Sequence, residues 1–150
     1  MPQSAFEYLS SHSLLFLGTA STAGNVHVAP MFYAIDIDQR AIFFSAPDGS
    51  ETAANLKQNP TAALAVADPV TDWDKARGLQ IEGTVTELDG DDETAAGALF
   101  KAKFPHLGDD ALHSHYWRLA AGDIRYVHND ERGNEQFESL GQTWQRETVE

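Results

Sequence analysis

A chain of 150 residues, 42% hydrophobic and 22% charged, has the size and composition of one globular domain, which excludes wholesale disorder. It has no cysteine, which removes disulfides, thiol catalysis and thiolate-bound metals together. Lys and Arg number 10 against 23 Asp and Glu, a formal charge of −13; the basic residues are scattered, so phosphate backbones and anionic membrane surfaces are poor partners.

No residue before Ser13 is basic, so no signal-peptide start is predicted and a cytoplasmic location is expected. The apolar run Leu14–Leu17 is far too short to span a bilayer. The acidic excess also fits a salt-adapted host.

Pro2 to Ser11 reads as a short helix, with Ala5, Phe6 and Leu9 on one stripe. Leu14 to Ser21 and Val26 to Ile37 read as strands, separated by the turn formers Gly24 and Asn25. A tight connection over Asp36 to Arg40 leads to a third strand, Ala41 to Ser45. Three strands with short turns predict an antiparallel meander. Ala46-Pro47-Asp48-Gly49 breaks the pattern, and Ser50 stands where a helix N-cap belongs, before Glu51 to Gln58. Asn59-Pro60 ends that helix.

Thr61 to Ala67 is small and apolar on both faces, which predicts a buried strand. A polar loop carrying Trp73 follows, and then the alternating run Leu79 to Leu88, where Gly83 predicts a bulge or a close backbone approach. Asp91 to Phe104 has an acidic first turn, lysines near its end and a stripe of Ala95, Leu99 and Ala102, all helix signals. Leu107 to His115 is ambiguous. Tyr116 to Ala121 and Ile124 to His128 read as a final strand pair around Ala121-Gly122-Asp123. The predicted domain covers residues 1–130. Residues 131–150 form a polar tail whose Phe137, Leu140 and Trp144 imply an arm packed on the barrel or on a partner. The fold class is α+β: a split β-barrel of six to seven mostly antiparallel strands with two or three flanking helices.

Standard catalytic signatures are missing: no GxGxxG, P-loop, HExxH or GxSxG occurs. No catalytic residue can be named, and no metal site is predicted. His113-Ser114-His115, near His106, reads as solvated histidines in a helix-to-strand connection rather than as metal ligands. His27 reads as a strand-face residue. The block Gly24 to Asp68 is the informative one. Its helix start, Gly49 to Thr52, offers either an anion site or a plain N-cap.

The order and wording of these elements resemble the FMN-binding split β-barrel family, the pyridoxamine 5′-phosphate oxidase-like proteins. The likeness covers roughly residues 5–130 and is carried by five features. They are the opening strand Leu15 to Ala20, Gly24 to Pro30 followed by Met31-Phe32-Tyr33, the strand Ile42-Phe43-Phe44-Ser45, the unit Ser50 to Pro60, and Gly78-Leu79-Gln80-Ile81-Glu82-Gly83. Phe104-Pro105 and Tyr116 to Asn129 look closest to the small YhbP-type branch.

The resemblance implies a homodimer with two FMN sites at the subunit interface and a small-molecule substrate, which it does not identify. Met31, Phe32 and Tyr33 would lie along the flavin ring, and Ser45 and Ala46 on its far side or on the ribityl chain. Ser50 and Thr52 would face the phosphate, and Gln80 and Trp117 would come from the second subunit. The chain departs from the family where flavin-binding members carry Arg or Lys after the loop Ser: here stand Glu51 and Thr52. A carboxylate at ~4 Å from a phosphate costs about 4 kcal/mol per charge pair at an effective dielectric near 20. Two expectations follow: a weakly flavin-binding oxidoreductase, or a cofactor-free dimer with a ligand-binding or stress-related role.

Overall fold

The computed structural model describes residues 3–72, 75–128 and 143–148, and the side chains of 5–72, 75–110 and 114–126. Helix α1 (Gln3–Ser10) precedes β1 (Leu14–Ala20), β2 (Val26–Asp36) and β3 (Ala41–Ser45). Helix α2 (Glu51–Gln58), β4 (Thr61–Ala67), β5 (Arg77–Glu87) and α3 (Gly90–Lys103) follow. A 3₁₀ segment (Pro105–His113), β6 (Tyr116–His128) and β7 (Thr143–Thr148) complete the order. Trp73, Phe137 and Leu140 lie outside the described residues.

The sheet runs β3-β2-β1-β4-β5-β6-β7, every pairing antiparallel, and β3 also pairs with β6. That last pairing closes six strands into a barrel, as full closure of an antiparallel sheet requires. The β1-β2-β3 meander is present as expected. The predicted final strand pair is instead one bent strand. β5 runs beside β6 from Glu87↔Trp117 to Arg77↔His128, and a register shift at Glu82/Gly83 skips Gly122. Ala121-Gly122-Asp123 is therefore a bulge rather than a turn. Gly83 sits at the same bend, where an added Cβ would overlap the Ala120 carbonyl oxygen.

Strand alternation sorts the side chains. Leu15, Leu17, Tyr33, Ile42, Phe44, Leu64, Ile81, Trp117 and Leu119 fill the barrel interior. A second cluster, with Ala34, Phe43, Phe100, Phe104 and Tyr116, forms outside the barrel beneath α3. β3 is covered on both faces, which is why its run of apolar residues does not alternate. β4 differs from expectation: it buries Ala62, Leu64 and Val66, while Thr61, Ala63 and Ala67 stay exposed. Its small outer residues lie beside Phe16 and Gly18 of β1 on a face that no described helix covers. The buried stripe of α3 is also shifted from the expected one, to Ala96, Gly97 and Phe100. The aromatic ring of Phe100, packed on Tyr116 with centroids 4.8 Å apart, sets the helix rotation rather than the alanines.

Candidate functional site

β2 and β3 bring the first group of residues together at one end of the barrel. Because successive strand residues point to opposite faces, Phe32 turns outward, 53% exposed, while Tyr33 turns into the core at 0%. Met31, Phe32 and Ser45 line a cavity of about 280 Å³. Phe100, Leu107 and Tyr116 supply its remaining apolar wall, and Asp110 and Ser114 its polar edge. Tyr33 is not in this wall. Its hydroxyl donates to the Leu9 carbonyl at 2.6 Å, and burial pushes the phenol far above its usual pKa.

Trp117 is likewise enclosed in its own barrel, 2% exposed, where its Nε1 donates to the Ala46 carbonyl at 3.0 Å. That bond fixes where the chain leaves β3 and so aims the loop that follows. Ala46 is itself buried. Gln80 stands elsewhere, exposed on the outer face of β5. There it borders a shallow cavity of about 320 Å³ shared with Phe16 and Val28.

The loop between β3 and α2 turns at Gly49, whose φ is 88°. Ser50 takes an extended conformation, and its hydroxyl accepts the Ala53 N–H at 3.1 Å, an N-cap. Thr52 is 3% exposed. Glu51 projects outward and lies 3.4 Å from His27 Nδ1. Lys57, one helix end away, folds back so that its Nζ is 3.0 Å from Asp48 and 4.0 Å from Glu87. Each of Asp48 and Lys57 holds the other charged: the carboxyl titrates lower and the ammonium higher than usual.

Behind the loop, His115 Nε2 donates to Glu87 and Nδ1 to Glu93, both at 2.8 Å. Burial works against a charged ring here, but the two carboxylates outweigh it and raise the His115 pKa. Two accepting carboxylates leave the ring a donor at both nitrogens, the imidazolium form. The ligand atoms of Asp48, Glu87 and His115 all lie within 4.8 Å of one another, a spacing open to a cation. The Lys57 ammonium already occupies that role. No local motif marks the group, because its residues come from the loop, α2, β5, α3 and the residue just before β6.

A second half-buried cluster fastens α1. Tyr8 and His12 both donate to Asp68 Oδ1, at 2.8 and 2.6 Å. Lys103 donates to the His12 carbonyl and lies 4.0 Å from the centre of the Tyr33 ring. Burial lowers the Lys103 pKa to about 8.

A flavin phosphate does not fit the start of α2. The cap has taken the Ala53 N–H, Thr52 is buried, and Lys57 is engaged by two carboxylates. The exposed charges beside the loop are Asp48, Glu51 and Lys57, the last already paired with Asp48. The apolar cavity at Met31 and Phe32 carries no such conflict with a neutral aromatic ring.

Fold and sequence agree on the class of this chain. A family model described as pyridoxamine 5′-phosphate oxidase matches residues 1–128, and the chain belongs to that family. A UPF0306 protein of Photorhabdus laumondii is 27% identical over 122 residues, 81% of this chain and 83% of that protein. Among solved structures, a heme binding protein from Mycobacterium smegmatis superposes with a TM-score of 0.75 at 19% identity. The match covers 99% of this chain but 59% of that one, so this chain spans well under two thirds of its length. A FAD-binding protein from Mesorhizobium loti superposes with a TM-score of 0.65 at 14% identity, covering 83% and 91%. Among the described residues, no helix is long and apolar enough to cross a membrane.

Proposed function

We propose that this chain is a homodimeric flavin-binding protein, with oxidoreductase chemistry supplied by the flavin, that takes FMN by its ring system and not by its phosphate. The observation that carries this reading is the contrast within the site. Met31, Phe32, Ser45 and Tyr116 line an apolar cavity, while the α2 start presents Asp48 and Glu51 and no free cation among the described residues. Family membership and a FAD-binding neighbour support a flavin. The bound flavin would supply hydride transfer, and the protein would supply position and electrostatics.

The dimer rests on a separate observation. Leu14, Phe16, Val26, Val28 and Phe32 are 50, 53, 73, 59 and 53% exposed. The register Leu14↔Phe32, Phe16↔Pro30, Gly18↔Val28 and Ala20↔Val26 places them on one outer face. A patch of this kind marks an association surface, and an obligate dimer would bury upwards of about 2,000 Å².

The test is to titrate riboflavin and FMN, which differ by the phosphate, and to follow flavin fluorescence. The expected affinities agree within about threefold, which is under 1 kcal/mol. Glu51→Arg, at an exposed position, should then favour FMN by about tenfold, an advantage that salt screens away. Thr52 is left alone because a lysine there would be buried. A hundredfold preference of the parent for FMN would overturn the reading. If neither flavin binds, the chain is the cofactor-free barrel; if hemin binds where flavins do not, the cavity is a tetrapyrrole site.

A further inference from the structure

On the other side of α3, sharing no wall with the Met31 cavity, lies a cleft of about 350 Å³ between the helix, the β2–β3 turn and the outer face of β3 and β6. Phe43, Leu88 and Leu99 make its floor, and Asp36, Asp92 and Arg118 supply its charges. Arg118 is the odd member. It pairs with Phe43 on one side and Thr86 on the other, so its side chain leaves the sheet under α3. Its Nε is buried without a hydrogen-bond partner. No described carboxylate stands within 4.0 Å of its guanidinium.

A buried unsatisfied donor calls for an explanation. A guanidinium is a rigid fork of donors with no acceptor of its own, matched in geometry by a carboxylate taken in two parallel bonds. A simple anion is not the complement of this cleft, because one arginine and two aspartates leave it net negative. Asp36 Oδ1 accepts the backbone N–H groups of Asp38 and Gln39, so that carboxylate is held in place by the turn. A ligand that brings a carboxylate to Arg118 and an ammonium to the aspartates matches all three charges. Its apolar body then covers Phe43, Leu88 and Leu99.

We propose that the cleft under α3 binds a free α-amino acid with an apolar side chain, its carboxylate on Arg118 and its ammonium facing Asp36 and Asp92. The volume is at the lower end of small-molecule sites, which suits a single amino acid.

The experiment is calorimetric titration of the full chain with L-leucine and with its two half-ligands. 4-Methylpentanoate lacks the ammonium and 3-methylbutylamine lacks the carboxylate. The expected result is saturable binding of leucine, with each half-ligand at least about tenfold weaker. Arg118→Gln should lose at least about tenfold, while an unchanged circular dichroism spectrum and a cooperative urea transition show that the variant is folded. Ala95→Phe, at an exposed position of the cleft wall, should block leucine without touching Arg118. Equal binding of leucine and 4-methylpentanoate would overturn the proposal in favour of a plain anion site. Absence of leucine binding at about 10 mM, or unchanged affinity in both variants, would overturn it outright.

Discussion

Two stretches of the barrel's outer surface carry the same kind of side chain and are treated differently. Over β2, β3 and β6, Ala34, Phe43 and Tyr116 are covered by α3 through Phe100 and Phe104. Over β1 and the first half of β2, Leu14, Phe16, Val26 and Val28 stay exposed among the described residues. The strands of the two regions are alike in composition. The difference is that α3 lays Ala96 and Phe100 on one face, and no described helix lies on the other. Apolar patterning thus reports that a face is to be covered, and only the rest of the chain or a second molecule decides by what.

The largest expected effect lies on the covered face. Phe100→Ala removes the ring that packs on Tyr116 and Phe104 and should cost about 3–5 kcal/mol in urea unfolding. On the open face, Phe16→Lys should change the stability of the folded subunit by at most about 0.5 kcal/mol yet convert a dimer into a monomer in sedimentation. If the parent is already monomeric at micromolar concentration, the proposed association surface is wrong.

Phe32 stands between the two regions, exposed yet edge-on to Phe104 with centroids 5.4 Å apart. Phe32→Ala should cost about 1 kcal/mol through that contact, an intermediate value that would locate the border between the faces. The smallest effect concerns how the covering helix is tethered. His115 joins Glu93 in the first turn of α3 to Glu87 at the end of β5. Its folded pKa is raised above an unfolded value near 6.5. The stabilisation is therefore full below that value and fades as pH rises through the folded pKa. Wild type should exceed His115→Gln in stability at about pH 5.5 and converge with it by about pH 9; an advantage that grows with pH would contradict the imidazolium bridge.

What could be read in advance was mostly local. Ser50 and Asn59 bound α2 as expected because a cap is set by its own few residues. β3 and β4 have their expected limits because Pro47 and Pro60 punctuate them. β6 was not legible as one strand, since Ala121-Gly122-Asp123 has turn chemistry and only its neighbour β5 holds it extended. The rotation of α3 was missed for a related reason: its stripe is chosen by the aromatic rings it meets, not by its alanines.

At the site, family likeness brought forward Met31, Phe32 and Ser45, which do share a cavity. Strand alternation puts Met31 and Tyr33 on one face and Phe32 on the other; Tyr33 is fully enclosed in the core, whereas the partly buried Met31 still reaches the cavity wall that Phe32 lines from outside. The His115 bridge and the Asp48–Lys57 pair had no signal along the chain, since they depend on five elements meeting.

One feature of the sheet bears on how the molecule comes into being. A single edge of β6 is divided, with Tyr116–Ala120 on β3 and Asp123–His128 on β7, while β5 holds the opposite edge throughout. During synthesis the meander and β4 therefore leave the ribosome with the edge of β3 unpaired. It stays so until the strand that closes the barrel has emerged, behind β5 and α3. Such an open apolar edge is where a nascent chain aggregates or recruits a chaperone. Closure then requires Ala41 to find Ala120, far along the chain, a non-local pairing of the kind that forms slowly.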